Sequence, residues 1–583
     1  MMLFPINSFD YMMESVIEEQ LSEVSGAIRP VSVLLVYPST SEVALANLGF
    51  QRVYTLLNAI EAVTCDRFSL PPGWDPTTPQ LKSDQLRSHD LGRLPMDFDL
   101  IAFSISFEPD YLNTALILDY FGIPLDRKQR GPQYPLVVAG GSALFINPEP
   151  LADILDLCFI GEGEGMVERF FHHVTHTQWS DPRELLKDLA QQPGIYVPQF
   201  YHPVYDAERQ TALQAELFVA ERVERHWVPE GSPELCTHSE LHEEATAFKN
   251  MALMEVTRGC IWACRFCTAG FIYRPPREPD LTQTYNSLAR VLIDQGKEAS
   301  TIGLVGPSVT DHPQLLGLAR QLVAEGKKLS FSSLRMETLT DELVDLIIQS
   351  GQKTLTVAID APSERMRDVI NKSASDDFVI DKCRFLTDKG VLHLKIYSII
   401  GLPTETDDDI DQFIRLVENV QKVYVTACRK RGNIGSVTIS LSPLIPKPGT
   451  PFQWHPMESV PVLKKRFMKV RKALGKLPNI ELSFGSPNEA YLQTYLSRGD
   501  RRALSFFQEY LANGHDEKAA LQKAEPHPDH AVYRQFEKDD HLPWDIIDHG
   551  YFQKFLWQDY QRALLHKHTP VCDTATCKIC GIC

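Results

Sequence analysis

The chain has 583 residues, is 43% hydrophobic and 23% charged, and carries a formal charge of −18. At this length, such an ordinary globular composition predicts several domains with sizeable cores, and the acidic balance argues against a globally basic nucleic-acid binder. No apolar run approaches the ~20 residues that span a bilayer, which excludes a helical membrane protein. The start, MMLFPINSFDYMMESVIEEQ, has acids and no basic n-region. It does not read as a signal peptide, and the expectation is a soluble cytoplasmic protein. In a reducing compartment clustered thiols point to metal or redox chemistry before disulfides. Seven of the 12 cysteines fall in two tight clusters. The other five, Cys65, Cys158, Cys236, Cys383 and Cys428, read as small buried hydrophobes.

In chain order, residues 1–30 read as an N-terminal helical extension. From 31 to 175, the strand candidates VSVLLVYP, DLIAFSIS and PLVVAGG alternate with the helical stretches EVALANLGFQRVYTLLNAI and PDYLNTALILDYF. Near-continuous apolar strands separated by helices predict a doubly wound, Rossmann-like α/β domain. Two glycine-rich loops, GGSALF and GEGEG, follow apolar segments and suit close approach of backbone to a ligand. Neither fits the G-x-G-x-x-G nicotinamide fingerprint in its context. Residues 176–248 read as a connecting region.

A second α/β block covers 249–455. Its strand candidates are ALMEVT, TIGLVG, KLSFSSL, TLTVAI, LHLKIYSIIG and SVTISLSPLI. Six βα units are too few for an eight-stranded barrel and predict a partial, open one. Residues 456–570 read as mainly helical. Within them, Leu463, Phe467, Val470 and Leu474 recur at helical spacing, and the lysines of PVLKKRFMKVRKALGK occupy other faces. That basic surface reads as a solvated face, with an RNA or acidic partner as the alternative.

The chemistry concentrates in TRGCIWACRFCTAG, residues 257–270, directly after ALMEVT. Cys260, Cys264 and Cys267 have the spacing C-x3-C-x2-C at the carboxyl end of the first barrel strand, where parallel folds build sites. Three thiolates on a tight loop suit a cubane whose fourth iron stays open. A structural zinc site needs a fourth ligand, and no Cys or His stands within ten residues after Cys267. The chain ends in CDTATCKICGIC, where Cys572, Cys577, Cys580 and Cys583 form a C-x4-C-x2-C-x2-C tail over 571–583. Four soft thiolates suit a second [4Fe–4S] cluster or zinc, and the third reading is a plain thiol tail.

Cys260, Cys264 and Cys267, with Phe266 before the last thiolate, resemble the signature of radical S-adenosylmethionine (radical SAM) enzymes. CRFCTAGFIYRPPRE, SSLRMETLT, IDAPSERMRDVINK, IIGLPTETDDDI, PLIPKPGTPFQW, RGDRR and LPWDIIDHG resemble a group in that superfamily with an N-terminal cobalamin-binding-like domain. The resemblance covers roughly residues 31–583. It is specific for the family and not for a reaction. It implies a [4Fe–4S] cluster whose missing ligand is S-adenosylmethionine, cleaved reductively to a 5′-deoxyadenosyl radical, with ferredoxin or flavodoxin as reductant. It further implies that Phe266 offers its backbone to the adenine, with Gly401 and Pro403 approaching the same ring. Ser308 stands, after Gly306 and Pro307, where the superfamily often holds the methionyl amine with an acid. Ser333, Arg335 and Arg365 are assigned to ribose hydroxyls or the carboxylate, with a plain surface ion pair as the alternative for each arginine. Cobalamin domains that ligate cobalt by histidine use D-x-H-x-x-G. Here that position reads YPSTSEVALANLG. Either cobalamin binds without a histidine or the domain is a scaffold. The functions to be separated are cobalamin-dependent methyl transfer, methylthiotransferase-like sulfur insertion into RNA or protein, and a non-catalytic iron–sulfur carrier. The substrate, whether small molecule, RNA or protein, is not readable.

Overall fold

The computed structural model describes residues 28–75, 79–206, 209–241, 246–248, 250–331 and 334–582. All but the last three residues of the expected N-terminal extension lie outside them.

Five parallel strands build the first sheet: β1 (Val31–Thr40), β2 (Val63–Leu70), β3 (Leu100–Ser104), β4 (Leu136–Gly140) and β5 (Leu157–Phe159). Their order is β2-β1-β3-β4-β5, and β6 (Ile195–Tyr196) adds antiparallel to β5. β1 is apolar nearly throughout because both of its faces are covered. Leu34 and Val36 enter one core with the helix Asp110–Tyr120. Val33 and Leu35 enter the other with the helices Leu48–Ala59 and Met166–His176. This is the expected doubly wound domain, although β6 carries its sheet past residue 175. The chain then forms a hairpin of β7 (Tyr201–Asp206) and β8 (Arg209–Ala215) and the short β9 (Val223–Glu224).

The second block places all six expected strands in parallel: β10 (Met251–Glu255), β11 (Thr301–Val305), β12 (Lys328–Phe331), β13 (Thr354–Asp360), β14 (His393–Ile400) and β15 (Ser436–Pro443). Among the described residues β10-β11-β12 and β13-β14-β15 join through a parallel bridge, Leu334 to Val357, and the arc is an open barrel. A seventh strand, β16 (Ile480–Phe484), extends the arc beside β15, in the region read as mainly helical. It is a half-exposed edge strand, and only three alternating apolar residues mark it.

The helix Val460–Leu474 buries Leu463, Phe467, Val470 and Leu474 as its periodicity predicts. Its basic face answers acids of the same chain. Lys465 meets Asp407 at 3.2 Å and Lys469 meets Asp411 at 2.7 Å, both on the helix Asp407–Arg431. The final helix, Gln553–Leu564, buries Phe555, Leu556, Tyr560 and Ala563 against the end of the barrel. Phe552, the residue just before the helix, is exposed. Among the described residues no helix is long and apolar enough to cross a membrane.

Candidate active site

The cysteine loop leaves β10 and is clamped from three sides. Cys260 and Cys264 are buried and Cys267 is half-buried. Arg265, fully buried between the second and third thiols, donates Nε to Asp559 at 3.1 Å and Nη1 to the carbonyls of Asp368 and Val369. Its Nη2 reaches the carbonyl of Lys567 and the hydroxyl of Thr569. Asn371 ties the carbonyl of Ala263 to Thr569, with Nδ2 to both carbonyls and Oδ1 accepting from the Thr569 N–H. On the barrel side, Trp262 donates Nε1 to Asp311 at 2.7 Å, and Asp311 also accepts from the Ser308 hydroxyl.

Burial pushes the Cys260 thiol up to about 11. Burial, with Cys264 and Cys260 beside it, pushes Cys267 up to about 12. Burial raises Cys264 as well, opposed by the nearby Lys372 and Arg335 cations. Thiols in this setting ionise when a positive centre is supplied, so the loop fits an iron–sulfur cluster by the chemistry of its donors. Among the described residues no group of three or more His, Cys, Asp or Glu side chains is already drawn into a metal shell.

The other expected site residues are placed unequally. Arg335 faces the loop itself. Its Nη1 stands 3.6 Å from Cys264 Sγ, its plane lies 3.9 Å from the Trp262 ring centre, and Nη2 meets Glu337 at 3.0 Å. Ser308 lies beside the loop, and its N–H donates to the hydroxyl oxygen of Thr257. The half-buried Phe266 packs against the core of the final helix. Arg365 is engaged elsewhere: it forms an ion pair with Asp409 and donates to both oxygens of Thr404, the alternative allowed for it. Gly401 has φ +88°, and a Cβ there would stand 3.0 Å from Glu458 Cβ and Leu463 Cδ2. Its close approach is therefore to the helix Val460–Leu474, and Pro403 is buried beside it. Ser333 and Cys583 lie outside the described residues.

Opposite the loop lies a cavity of about 540 Å³ between the two sheets. One wall comes from Leu35 of β1 and the carboxyl ends of β3, β4 and β5, and the other from Glu255 at the end of β10, Thr257–Gly259 after it, and Val305–Pro307 at the end of β11. In the order β2-β1-β3-β4-β5 the connection reverses between β1 and β3, the place where open sheets take ligands. The walls are mainly apolar, and their charges are paired. Arg52 meets Glu240 at 3.0 Å. Arg258 meets Glu162, Glu164 and Glu255 at 3.0, 3.1 and 2.8 Å, and Arg277 takes the other oxygen of Glu162 at 2.7 Å. This buried network bolts the GEGEG loop to the residue two before Cys260. Gly161 in that loop has φ +122°, and a Cβ would lie 2.1 Å from the carbonyl oxygen of His226, so only glycine admits the contact. No histidine lines the cavity among the described residues.

The tail returns along the final helix to the loop. The Cys572 N–H donates to the carbonyl of Ile261, and the Phe552 N–H to that of Cys580. Cys580 is buried, and Cys572 and Cys577 are half-buried. None of the described tail residues lines the cavity. Sequence reasoning missed Arg258, Arg265 and Asp311. The first two were signalled by arginines inside the cysteine stretch, and the third by the acid three residues after Ser308.

Two family models match the chain. One, described as radical SAM proteins, N-terminal, covers residues 49–198, and the other, the radical SAM superfamily, covers residues 254–417. Among curated proteins, an uncharacterised protein of Methanocaldococcus jannaschii is 29% identical over 73% of this chain and 83% of its own length. The ribosomal protein uS12 methylthiotransferase RimO of Clostridium novyi is 24% identical over 30% of this chain and 42% of its own. Among solved structures, the cobalamin-dependent S-adenosylmethionine radical enzyme OxsB is similar at TM-score 0.48 and 13% identity, over 92% of this chain and 80% of that one. The radical S-adenosylmethionine methyltransferase TsrM from Kitasatospora setae is similar at TM-score 0.44 and 12% identity, over 71% of this chain and 75% of that one.

Proposed function

We propose that this chain, an enzyme belonging to the radical SAM superfamily, holds its [4Fe–4S] cluster on Cys260, Cys264 and Cys267 and binds cobalamin in the interdomain cavity. The reaction is methyl transfer to an unactivated carbon. The observation that carries the reading is the cavity itself: it joins the ligand-binding reversal point of the first sheet to Thr257–Gly259, the residues just before Cys260. When bound, the cluster supplies the electron that breaks a sulfonium bond of S-adenosylmethionine, delivered by a carrier of the ferredoxin or flavodoxin type.

The residues of this chain orient and insulate. Arg335 holds positive charge beside Cys264 and keeps Trp262 in place by stacking on it. Asp311, through Ser308, supplies the acid that the loop after β11 lacks at the expected position, and it would hold the methionyl amine. Phe266 offers its backbone to the adenine. The apolar cavity walls exclude water, and their paired charges suit a large ligand with a neutral face. No histidine lines the cavity among the described residues, so the chain would offer cobalamin no imidazole there. The tail cysteines Cys572, Cys577, Cys580 and Cys583 hold a second iron–sulfur centre or zinc.

The test is anaerobic reconstitution followed by titration with hydroxocobalamin. Stoichiometric cobalamin uptake without a histidine-ligated spectrum, and formation of S-adenosylhomocysteine from S-adenosylmethionine, would support the reading. Reductive formation of 5′-deoxyadenosine without cobalamin uptake would leave the radical enzyme and remove the methyl-transfer step. No cleavage at all would point to an iron–sulfur carrier. Sulfur insertion is the second reading, supported by the partial match to the methylthiotransferase. It needs the tail centre at the substrate, whereas no described tail residue lines the cavity.

A further inference from the structure

Four arginines are fully buried among the described residues: Arg265, Arg277, Arg367 and Arg498. The first three face carboxylates, Asp559 at 3.1 Å, Glu162 at 2.7 Å and Asp376 respectively. Arg498 faces none. Its Nη1 and Nη2 donate to the carbonyls of Val532 and Arg534 at 3.2 and 2.9 Å, and its buried Nε has no partner. Its guanidinium lies 4.4 Å from the ring centre of Phe536, which Arg534 also approaches at 5.0 Å. Two cations therefore approach one aromatic ring in a chain whose net charge is −18.

Arg498 lines a cavity of about 50 Å³, together with Arg502, Arg534, His527, His530 and His541. His527 and His541 are exposed at its rim. One carboxylate, Asp500, also lines the cavity and is paired with Arg502 at 2.6 Å; those nearby are engaged as well, Asp540 with Arg534 at 2.7 Å and Asp529 with His527 at 3.5 Å. A buried charge is tolerated when it is paired and hydrogen-bonded, and the fourth arginine lacks that pairing. Burial, with Arg534 beside it, pushes Arg498 down to about 9, a shift that a bound anion would reverse. The volume exceeds the share of a single water and suits one small polyatomic ion.

We infer that this cavity, built on the RGDRR segment, binds a small oxyanion, a phosphate or carboxylate group, with Arg498 at its base and Arg502 and Arg534 at its sides. Guanidinium forks match both groups in geometry. The site is separate from the cysteine loop, and the inference does not depend on the radical chemistry.

The experiment is calorimetric titration of the full-length protein with inorganic phosphate and, in a second arm, malonate, each against chloride at equal ionic strength. Saturable one-to-one binding of either anion is expected. Arg534→Gln and Arg502→Gln should each weaken it by about tenfold, the scale of one charged hydrogen bond, while Lys465→Gln on the remote basic helix should not change it. Tighter phosphate binding assigns a phosphorylated ligand, and tighter malonate binding a carboxylate. Arg498→Met, if it folds, should abolish binding; if it does not fold, the two side variants decide. Heats no larger than chloride gives, or unchanged affinity in both side variants, would overturn the site.

Discussion

The two cysteine-bearing segments sit against each other and are held in different ways. The loop from Cys260 to Cys267 is gripped by the protein: Arg265 donates to four acceptors besides its ion pair, and Arg258, just before the loop, is anchored by Glu162 of the first domain. Among the described residues the tail is tied by backbone bonds at Cys572 and Cys580 and by Cys580 and Ile582 packing into the core of the final helix, while Val571 and Ile579 are exposed. The difference teaches that the loop is shaped by the chain itself, whereas the tail, with fewer side-chain ties, would take more of its shape from any metal it bound. Chain termini without such ties fray.

That contrast can be broken most severely at the loop. Replacing Cys260, Cys264 and Cys267 together by alanine should abolish reductive formation of 5′-deoxyadenosine and lower bound iron by about four per chain, one cubane's content. Chromatography and iron counts on the same sample check it, and surviving cleavage would reject the assignment. Next in size is the clamp. Arg265→Met leaves Asp559 charged and buried, a loss of about 3–5 kcal/mol on the scale of broken buried pairs. The denaturant midpoint should fall accordingly, and the companion Asp559→Leu in the same chain should recover part of it. An unchanged midpoint for Arg265→Met would show that the loop is not held as described.

Smaller effects are expected at the tail. Cys572→Ser with Cys577→Ser should remove any metal bound by the tail, read by elemental analysis, yet lower the unfolding free energy by only about 2 kcal/mol, two typical single-site values. A collapse of stability comparable to that of Arg265→Met would erase the contrast between the two segments. Smallest is Lys465→Gln on the helix Val460–Leu474. The exposed pair with Asp407 should be worth less than about 1 kcal/mol, so thermal unfolding should barely move. A large shift would mean that the basic face does more than answer its acidic neighbour.

Local pattern by itself determined the doubly wound domain, the six strands of the open barrel and the helix that buries Leu463, Phe467, Val470 and Leu474. Burial on both faces writes strands as apolar runs, and one-sided burial writes helices as a repeat of about 3.6 residues. The spacing of Cys260, Cys264 and Cys267 was likewise legible, because those ligands are neighbours in the chain. Other features were decided by tertiary structure alone. β16 joined the barrel as a half-exposed edge, where apolar signal is weakest. Gly401 answered to a helix nearly sixty residues on, and Arg365 to Asp409. The partners of Arg265, Asp559 and Thr569, lie about 300 positions away. Whether a buried arginine finds a carboxylate depends on which distant segments meet around it. That is why Arg265 and Arg498, alike in sequence terms, end with opposite electrostatic surroundings.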